Sequence, residues 1–473
     1  MSTADPRRWK ALALLCLAFF MVILDAQIVI LGLPSIEADL GLSAAAAQWV
    51  LSSYLLAFGG LLLLGGRAGD LLGQRRMFIL GAGLFLVSSV LCGLAWSGGV
   101  LLAARVLQGV SAAIMAPTAL AILMRTFEEG PERNKALGIW SAVGGAGATS
   151  ALLIGGPLTD GLGWEWIFFI NIPVALGLLT LAPRLLRESL DDTCARCFDL
   201  AGAVTVTAAL VALVYAIVEA PEAGWGDAQT VGLLALSSVL FAVFVALERR
   251  SELPLVPLRI FRSRTLVGGN LTLAALGMVA WGMSVTVSLY AQQVLGYTAL
   301  EFGLGTAVMT VMAVLGSTVG QLIVTRIGFR AVAVFGLALT GAGCLLLSQI
   351  SPDGSYWGDI FFGLLIFGPG LGATYVAASV ATLSGVAEQE SGLASALNNA
   401  AFQIGGALGA AVVTSVAVSN ASGPDPLSAL TEGFQAAFVA AALFAALGLA
   451  FAIALLRRAR SPVTPASADV KLN

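Results

Sequence analysis

Asp25 and Arg105 are the two ionisable residues that lie deep inside apolar runs of this chain. Placing either at mid-bilayer depth costs at least ~2.5–3.5 kcal/mol. One reason to accept that cost is chemical: a carboxylate that takes up and releases a proton, beside a cation that answers its charge. The other is architectural: a fixed ion pair that orders two helices. Desolvation favours the neutral carboxyl and a nearby guanidinium favours the anion. A side chain held between those pulls can change protonation as water access alternates. Asp25 sits six residues before the end of its run (Ala11–Leu31), and Arg105 six residues after the start of its own (Gly99–Met124). At 1.5 Å per residue both are roughly 9 Å below the same boundary. Opposite charges at equal depth pair if their helices touch. This spacing makes Asp25 the candidate proton carrier and Arg105 its partner.

A second group with chemistry is the turn Gly66–Arg76, GRAGDLLGQRR. Gly66, Gly69 and Gly73 permit a tight turn between two spans. Asp70 can accept hydrogen bonds from helix N-terminal amides, or from Arg75 and Arg76, as a gate that holds one face closed. Simple anchoring of Arg75 and Arg76 at a membrane surface is the plainer alternative. Polar and aromatic residues scattered through the spans (Gln27, Trp49, Tyr54, Gln108, Trp281, Tyr290, Asn398, Asn399 and Gln403) are candidates for lining a substrate cavity, since such sites are mostly apolar with few polar groups. For each, packing is the competing reading. Trp164 and Trp166 have the placement of an interfacial belt. The chain has no histidine, which removes histidine metal sites, proton relays and Ser-His or Cys-His nucleophiles. Cys16, Cys92 and Cys344 sit in apolar runs as small hydrophobes. Cys194 and Cys197 form one isolated C-x-x-C, too little for zinc. No catalytic constellation, metal or cofactor is expected.

The elements that must hold these residues follow from composition. Of 473 residues, 58% are hydrophobic and 11% charged, against roughly 25% charged in a soluble domain. The apolar excess must face lipid, which excludes a soluble enzyme, a nucleic-acid-binding protein and a disordered scaffold. The net charge of −3 adds little. Fourteen apolar stretches, from Ala11–Leu31 to Phe434–Leu456, are each long enough to cross a bilayer. With the N-terminus in the cytoplasm and alternating spans, Arg105 lies within a span and the other 23 of the 24 Lys+Arg all fall in inner segments. So one-sided a distribution predicts a multi-pass protein of the plasma membrane with both termini cytoplasmic. Arg and Ala usage suggests GC-rich, bacterial coding. An internal echo relates the Gly66–Arg76 turn to Val324–Arg330: aligning Gly73 with Gly328 puts Thr325 opposite Asp70 and Arg330 opposite Arg75. Parallel repeats of this kind mark secondary transporters. The expected organisation is an all-α membrane protein: a six-helix bundle (1–183), a segment with two extra transmembrane helices (184–264), a second six-helix bundle (265–460) and a disordered tail (461–473).

These motifs together resemble the major facilitator superfamily, specifically its 14-span drug:proton antiporter branch, over nearly the whole chain. LDAQIVILGLP (Leu24–Pro34) is similar to the branch's first-span signature, whose coupling aspartate falls at Asp25; Gln27 and Ile30 stand where the branch has Thr and Asn. The Gly66–Arg76 turn matches the family's loop between spans two and three, with its gate aspartate at Asp70. LLAARVLQGVSAAIMAP (Leu101–Pro117) resembles the fourth-span motif, with its arginine at Arg105 and its Gln-Gly pair at Gln108-Gly109. GWEWIFFINIP (Gly163–Pro173) matches the start of span six, with Glu165 in place of the usual Arg. The resemblance implies the major-facilitator fold and proton-driven efflux of small amphipathic compounds, without cofactor, by a monomer in contact with lipid. In span five the antiporter motif G-P-x-x-G-G reads Ala151–Gly156, ALLIGG. The missing Gly-Pro leaves open a dedicated exporter, importer or uniporter of a single metabolite. With one deep carboxylate, the expected cargo is neutral or monocationic.

Overall fold

The computed structural model describes residues 7–127, 131–186, 188, 200–251, 256–384, 386, 391–422 and 425–456. Among them the chain is helical, without strands: α1 (Arg8–Leu40), α2 (Ala44–Leu72), α3 (Gln74–Gly93), α4 (Gly98–Thr126), α5 (Pro131–Leu162), α6 (Trp166–Phe169), α7 (Asn171–Leu185), α8 (Leu200–Ala223), α9 (Ala228–Arg250), α10 (Arg264–Leu289), α11 (Ala299–Ile327), α12 (Phe329–Leu347), α13 (Phe361–Ser384), α14 (Ser391–Ser419) and α15 (Pro426–Leu455). Single π turns extend α10 through Tyr290–Val294 and precede α13 at Tyr356–Ile360. The tail 461–473 and the pair Cys194 and Cys197 lie outside the described residues.

These segments are apolar all round, so they form helices that face either lipid or one another, with backbone polar groups satisfied internally. Short polar caps start them. Ser43 accepts from the Ala46 amide at 3.2 Å, Ser97 from Val100 at 3.4 Å, and Thr298 with Glu301 forms a capping box on α11. Thirteen helical segments among the described residues are long and apolar enough to cross a membrane, with α6 and α7 counting as one. α5, at 32 residues, is about 48 Å long and has the length of a fourteenth. The apolar runs underestimate the helices: α1 continues nine residues past Leu31, through Pro34, to Leu40.

The sequence echo is also a structural one. Gly73 and Gly328 each join two helices with a positive φ, 102° and 85°, a conformation that costs glycine little. The flanking helices match in length, 29 and 20 residues around Gly73 against 29 and 19 around Gly328. The packing repeats too. α1 lies on α5 as α10 lies on α14, and α4 packs on α2 and α3 as α13 packs on α11 and α12. The halves meet along two seams, α2 with α14 and α5 with α11, which the repeat interchanges. α8 lies against α2 and α14, and α9 against α8. The apolar windows of α1 and α10 are 72% and 78% buried, against 11% for α9. α1 and α10 are therefore central and α9 peripheral.

Candidate functional site

α1, α2, α3, α4 and α7 converge on one buried polar cluster. α4 supplies Arg105 and Gln108, three residues apart and so on one face. α4 approaches α2 closely because Gly109 has no side chain; a Cβ there would meet the Tyr54 carbonyl at 2.5 Å. Arg105 Nη1 donates to Asp25 Oδ2 at 2.8 Å, and both side chains are 0% exposed. Gln108 Nε2 and Asn171 Nδ2 each donate to Asp25 Oδ1 at 2.8 Å. The carboxylate thus receives three N–H donors from two other helices. Arg105 is held independently of it. Its Nε donates to the Val50 carbonyl at 3.0 Å and its Nη1 to Gln108 Oε1 at 2.6 Å. Its guanidinium lies 4.3 Å from the centre of the Tyr54 ring, a cation–π distance. The Tyr54 hydroxyl is anchored on the Val22 carbonyl at 3.3 Å.

A buried pair of this kind holds a fold together no better than well-packed apolar residues would. What the geometry offers is a pair that can part. If Asp25 becomes neutral, Arg105 keeps Val50, Gln108 and Tyr54. The two amides have a second acceptor in Ser89, 3.0 Å from Gln108 Nε2 and 3.5 Å from Asn171 Nδ2. Asn171 and Ser89 are contributors that sequence reasoning missed. Asn171 lies inside the Gly163–Pro173 motif, where nothing in the sequence distinguishes it.

The turn after α2 joins it to α3 through Gly73. Asp70 accepts from Gln74 Nε2 at 2.8 Å. The basic pair meets an acid that the sequence did not single out: Glu188 Oε1 accepts from the Arg75 amide at 3.3 Å, and Glu188 Oε2 lies 3.6 Å from Arg76 Nε. Gly73 lies under that carboxylate, and a Cβ there would meet Glu188 Oε1 at 2.5 Å. The side chain of Thr325, aligned with Asp70 in the repeat, lies outside the described residues.

Of the remaining cavity candidates, Tyr54 and Gln108 join the cluster. Gln27 is half-buried on α1. Trp49 packs against Tyr215 of α8, ring centres 6.0 Å apart. Trp281 is buried against Gly406. Tyr290 donates to the Ser351 carbonyl at 2.8 Å, tying α10 to the loop beyond α12. Asn398 and Gln403, on α14, are buried with side-chain oxygens that lack a hydrogen-bond partner. Of the expected aromatic belt, Trp166 is exposed. Trp164 is buried, and its indole N–H donates at 3.0 Å to Asp39, an exposed residue near the end of α1.

Hydrogen bonds tie the two halves at the end away from the basic loops. Thr414 donates to Gln48 Oε1 at 3.0 Å, and Ser288 to the Ile30 carbonyl at 3.1 Å. Asp160 accepts the Ala299 and Leu300 amides at 3.3 and 2.9 Å, capping α11 from α5. Toward the basic end, Leu63 of α2 and Leu393 and Leu397 of α14 share an apolar cluster.

The family model described as Major Facilitator Superfamily matches residues 15–193, 196–410 and 271–472. The puromycin resistance protein pur8 of Streptomyces alboniger is 39% identical over 87% of this chain and 82% of its own length. The cephamycin export protein CmcT of Amycolatopsis lactamdurans is 38% identical over 97% and 93%. The multidrug resistance protein Stp of Mycobacterium tuberculosis (strain ATCC 25618 / H37Rv) is 35% identical over 85% and 74%. Among solved structures, a bacterial homologue of the human lysosomal transporter Spinster, inward-facing and unoccupied, superposes with a TM-score of 0.65 at 19% identity, covering 97% of this chain and 100% of that one. An auto-inhibited peptide transporter of the POT family gives 0.69 at 17%, covering 97% and 99%.

Proposed function

The chain belongs to the Major Facilitator Superfamily, and from that membership we propose that it exports small amphipathic compounds across a bacterial inner membrane in exchange for protons, Asp25 carrying the proton. It is a multi-pass membrane transporter and not an enzyme. Export is in the name of its relative CmcT, and drug resistance is in the names of pur8 and Stp. The observation that carries the proton reading is the wholly buried Asp25–Arg105 pair, in which the cation keeps other partners if the acid is neutralised. In this reading 1–183 and 265–460 are the moving bundles, 184–264 is the insert, both termini are cytoplasmic and the working unit is a monomer. The seam tied by Thr414, Ser288 and Asp160 is then the outer gate. With that seam shut and the Asp25–Arg105 pair formed, Asp25 has no contact with water, so a proton cannot leak. When it opens, Asp25 loads from outside; when the bundles rock back, Arg105 returns and the proton leaves inward. One proton entering down 100 mV supplies about 2.3 kcal/mol, enough for a roughly fifty-fold substrate gradient. The gradient is the only energy source required, and no cofactor takes part.

A dedicated exporter of one natural product is the second reading. It is favoured by the ALLIGG sequence of span five and by the 97% coverage in the match to a cephamycin exporter. Import or uniport of a metabolite would be the remaining alternative. The test is proteoliposome efflux across a substrate panel, with and without an uncoupler, for the wild type and Asp25→Asn. Uncoupler-sensitive efflux lost in Asp25→Asn is expected. Undiminished pumping by that variant sinks the role given to Asp25, and uncoupler-insensitive wild-type transport sinks proton exchange.

A further inference from the structure

α10 and α14 run parallel in unusually close contact, and their register can be read from the glycines. A Cβ on Gly405 would collide with the backbone of Ala274, one on Gly409 with that of Met278, and one on Gly277 with the Phe402 carbonyl. These contacts set residue n of α10 level with about residue n + 128 of α14. One turn toward the basic end from the Ala274–Phe402 level, Asn270 is therefore level with Asn398, each a whole turn along its helix from a residue of the contact face. Asn398 is 7% exposed, and the side-chain oxygens of both residues are buried without a hydrogen-bond partner. Asn270 spends its Nδ2 on the Leu266 carbonyl at 3.0 Å. Neither amide reaches the other's oxygen.

Two strong acceptors at one level with nothing to accept is an arrangement that proteins avoid unless something else supplies the donor. Phe402 stands one turn from Asn398 on the same face, and Tyr375 of α13 meets its ring edge-on at 5.5 Å. No acid occurs within α10, α13 or α14.

We propose that Asn270 and Asn398 form a substrate subsite that accepts hydrogen bonds from an N–H or O–H donor on an aromatic cargo molecule, with Phe402 and Tyr375 beside its ring. The proposal rests on the export reading and narrows its substrate class: neutral or singly charged aromatic compounds bearing an amine or hydroxyl. The location, six or seven residues from the basic-side ends of α10 and α14, makes it an early contact for cargo arriving from the cytoplasm.

The test is equilibrium binding to the purified full-length protein, without a proton gradient. Two aromatic monocations are compared: ethidium, which carries primary amines, and tetraphenylphosphonium, which has no N–H or O–H. Asn270→Leu and Asn398→Leu should each weaken ethidium about tenfold, the effect of one lost hydrogen bond, and leave tetraphenylphosphonium within about twofold. The unliganded variants should melt no lower than the wild type, because each substitution removes an unpaired buried oxygen. Equal losses for both ligands, unchanged ethidium affinity in both variants, or no ethidium binding by the wild type overturns the subsite. Failure of the proton reading appears elsewhere, in efflux by Asp25→Asn, and leaves this binding comparison intact.

Discussion

At the residue scale, the centre of the molecule is a charge pair over-determined from its cationic side. Asp25 depends on Arg105, Gln108 and Asn171, whereas Arg105 has Val50 and Tyr54 as well. That asymmetry can be measured. Arg105→Met leaves the Asp25 carboxylate buried without its cation, a change that typically costs about 3–5 kcal/mol. Adding Asp25→Leu removes the stranded charge, so the double variant should regain most of the lost stability while remaining unable to pump. Thermal unfolding of the four members of this cycle checks it, and simple additivity of the two single losses would refute the coupling. Asp25 and Arg105 were legible in the sequence because an ionisable residue in an apolar run is conspicuous. Asn171, Ser89 and Glu188 were not, because a neutral polar residue in a span, or an acid in a basic loop, has many ordinary explanations.

At the element scale, movement belongs to the seams. Gly156 brings α5 into backbone contact with Leu300, and Asp160 then takes the first amides of α11, where the helix dipole favours an anion. Asp160→Asn should weaken that contact by up to ~1 kcal/mol. A Leu31→Cys reporter, buried at the seam in the wild type, should then react up to about fivefold faster with an impermeant maleimide. Gly156→Leu, which no rearrangement short of separating the helices can accommodate, should accelerate labelling further. Unchanged rates in both would remove the gate. A cap of a different kind starts α15. The Ser428 amide, its hydroxyl and the Leu427 amide all bond to Asp425 and hold its carboxyl below the usual range. Because the folded value is depressed, the stabilisation is complete above the unfolded value near pH 4 and is lost as pH falls through the folded one. The melting temperatures of Asp425→Ala and the wild type should therefore differ by a constant amount from pH 5 to 8 and converge only in strong acid.

At the scale of the whole molecule, the two halves repeat each other and the insert breaks the symmetry. α8 lies along the α2–α14 seam, so the two seams do not meet equivalent surroundings. The basic loops all lie on one side of the span alternation, and the orientation this implies is open to direct measurement. Reporter fusions at the N- and C-termini should both read cytoplasmic. Opposite readings at the two ends would mean an odd number of crossings and would remove α5 or another helix from the count.

The sequence by itself determined the class, the helical membrane fold, the twofold repeat and the identity of the central charge pair. Each of these follows from a local property: the transfer cost of a side chain, the length of an apolar run, or a turn that needs glycine. The helix ends were less legible, since α1 and α11 continue beyond their most apolar stretches. Only the tertiary structure decided which polar side chains share a space. Trp49 turns to α8, Tyr290 ties down a loop, and Tyr54 and Gln108 reach the charge pair. In a helix that is apolar on every side no periodicity marks the face that meets the cavity, so that choice is made by helix–helix contact alone.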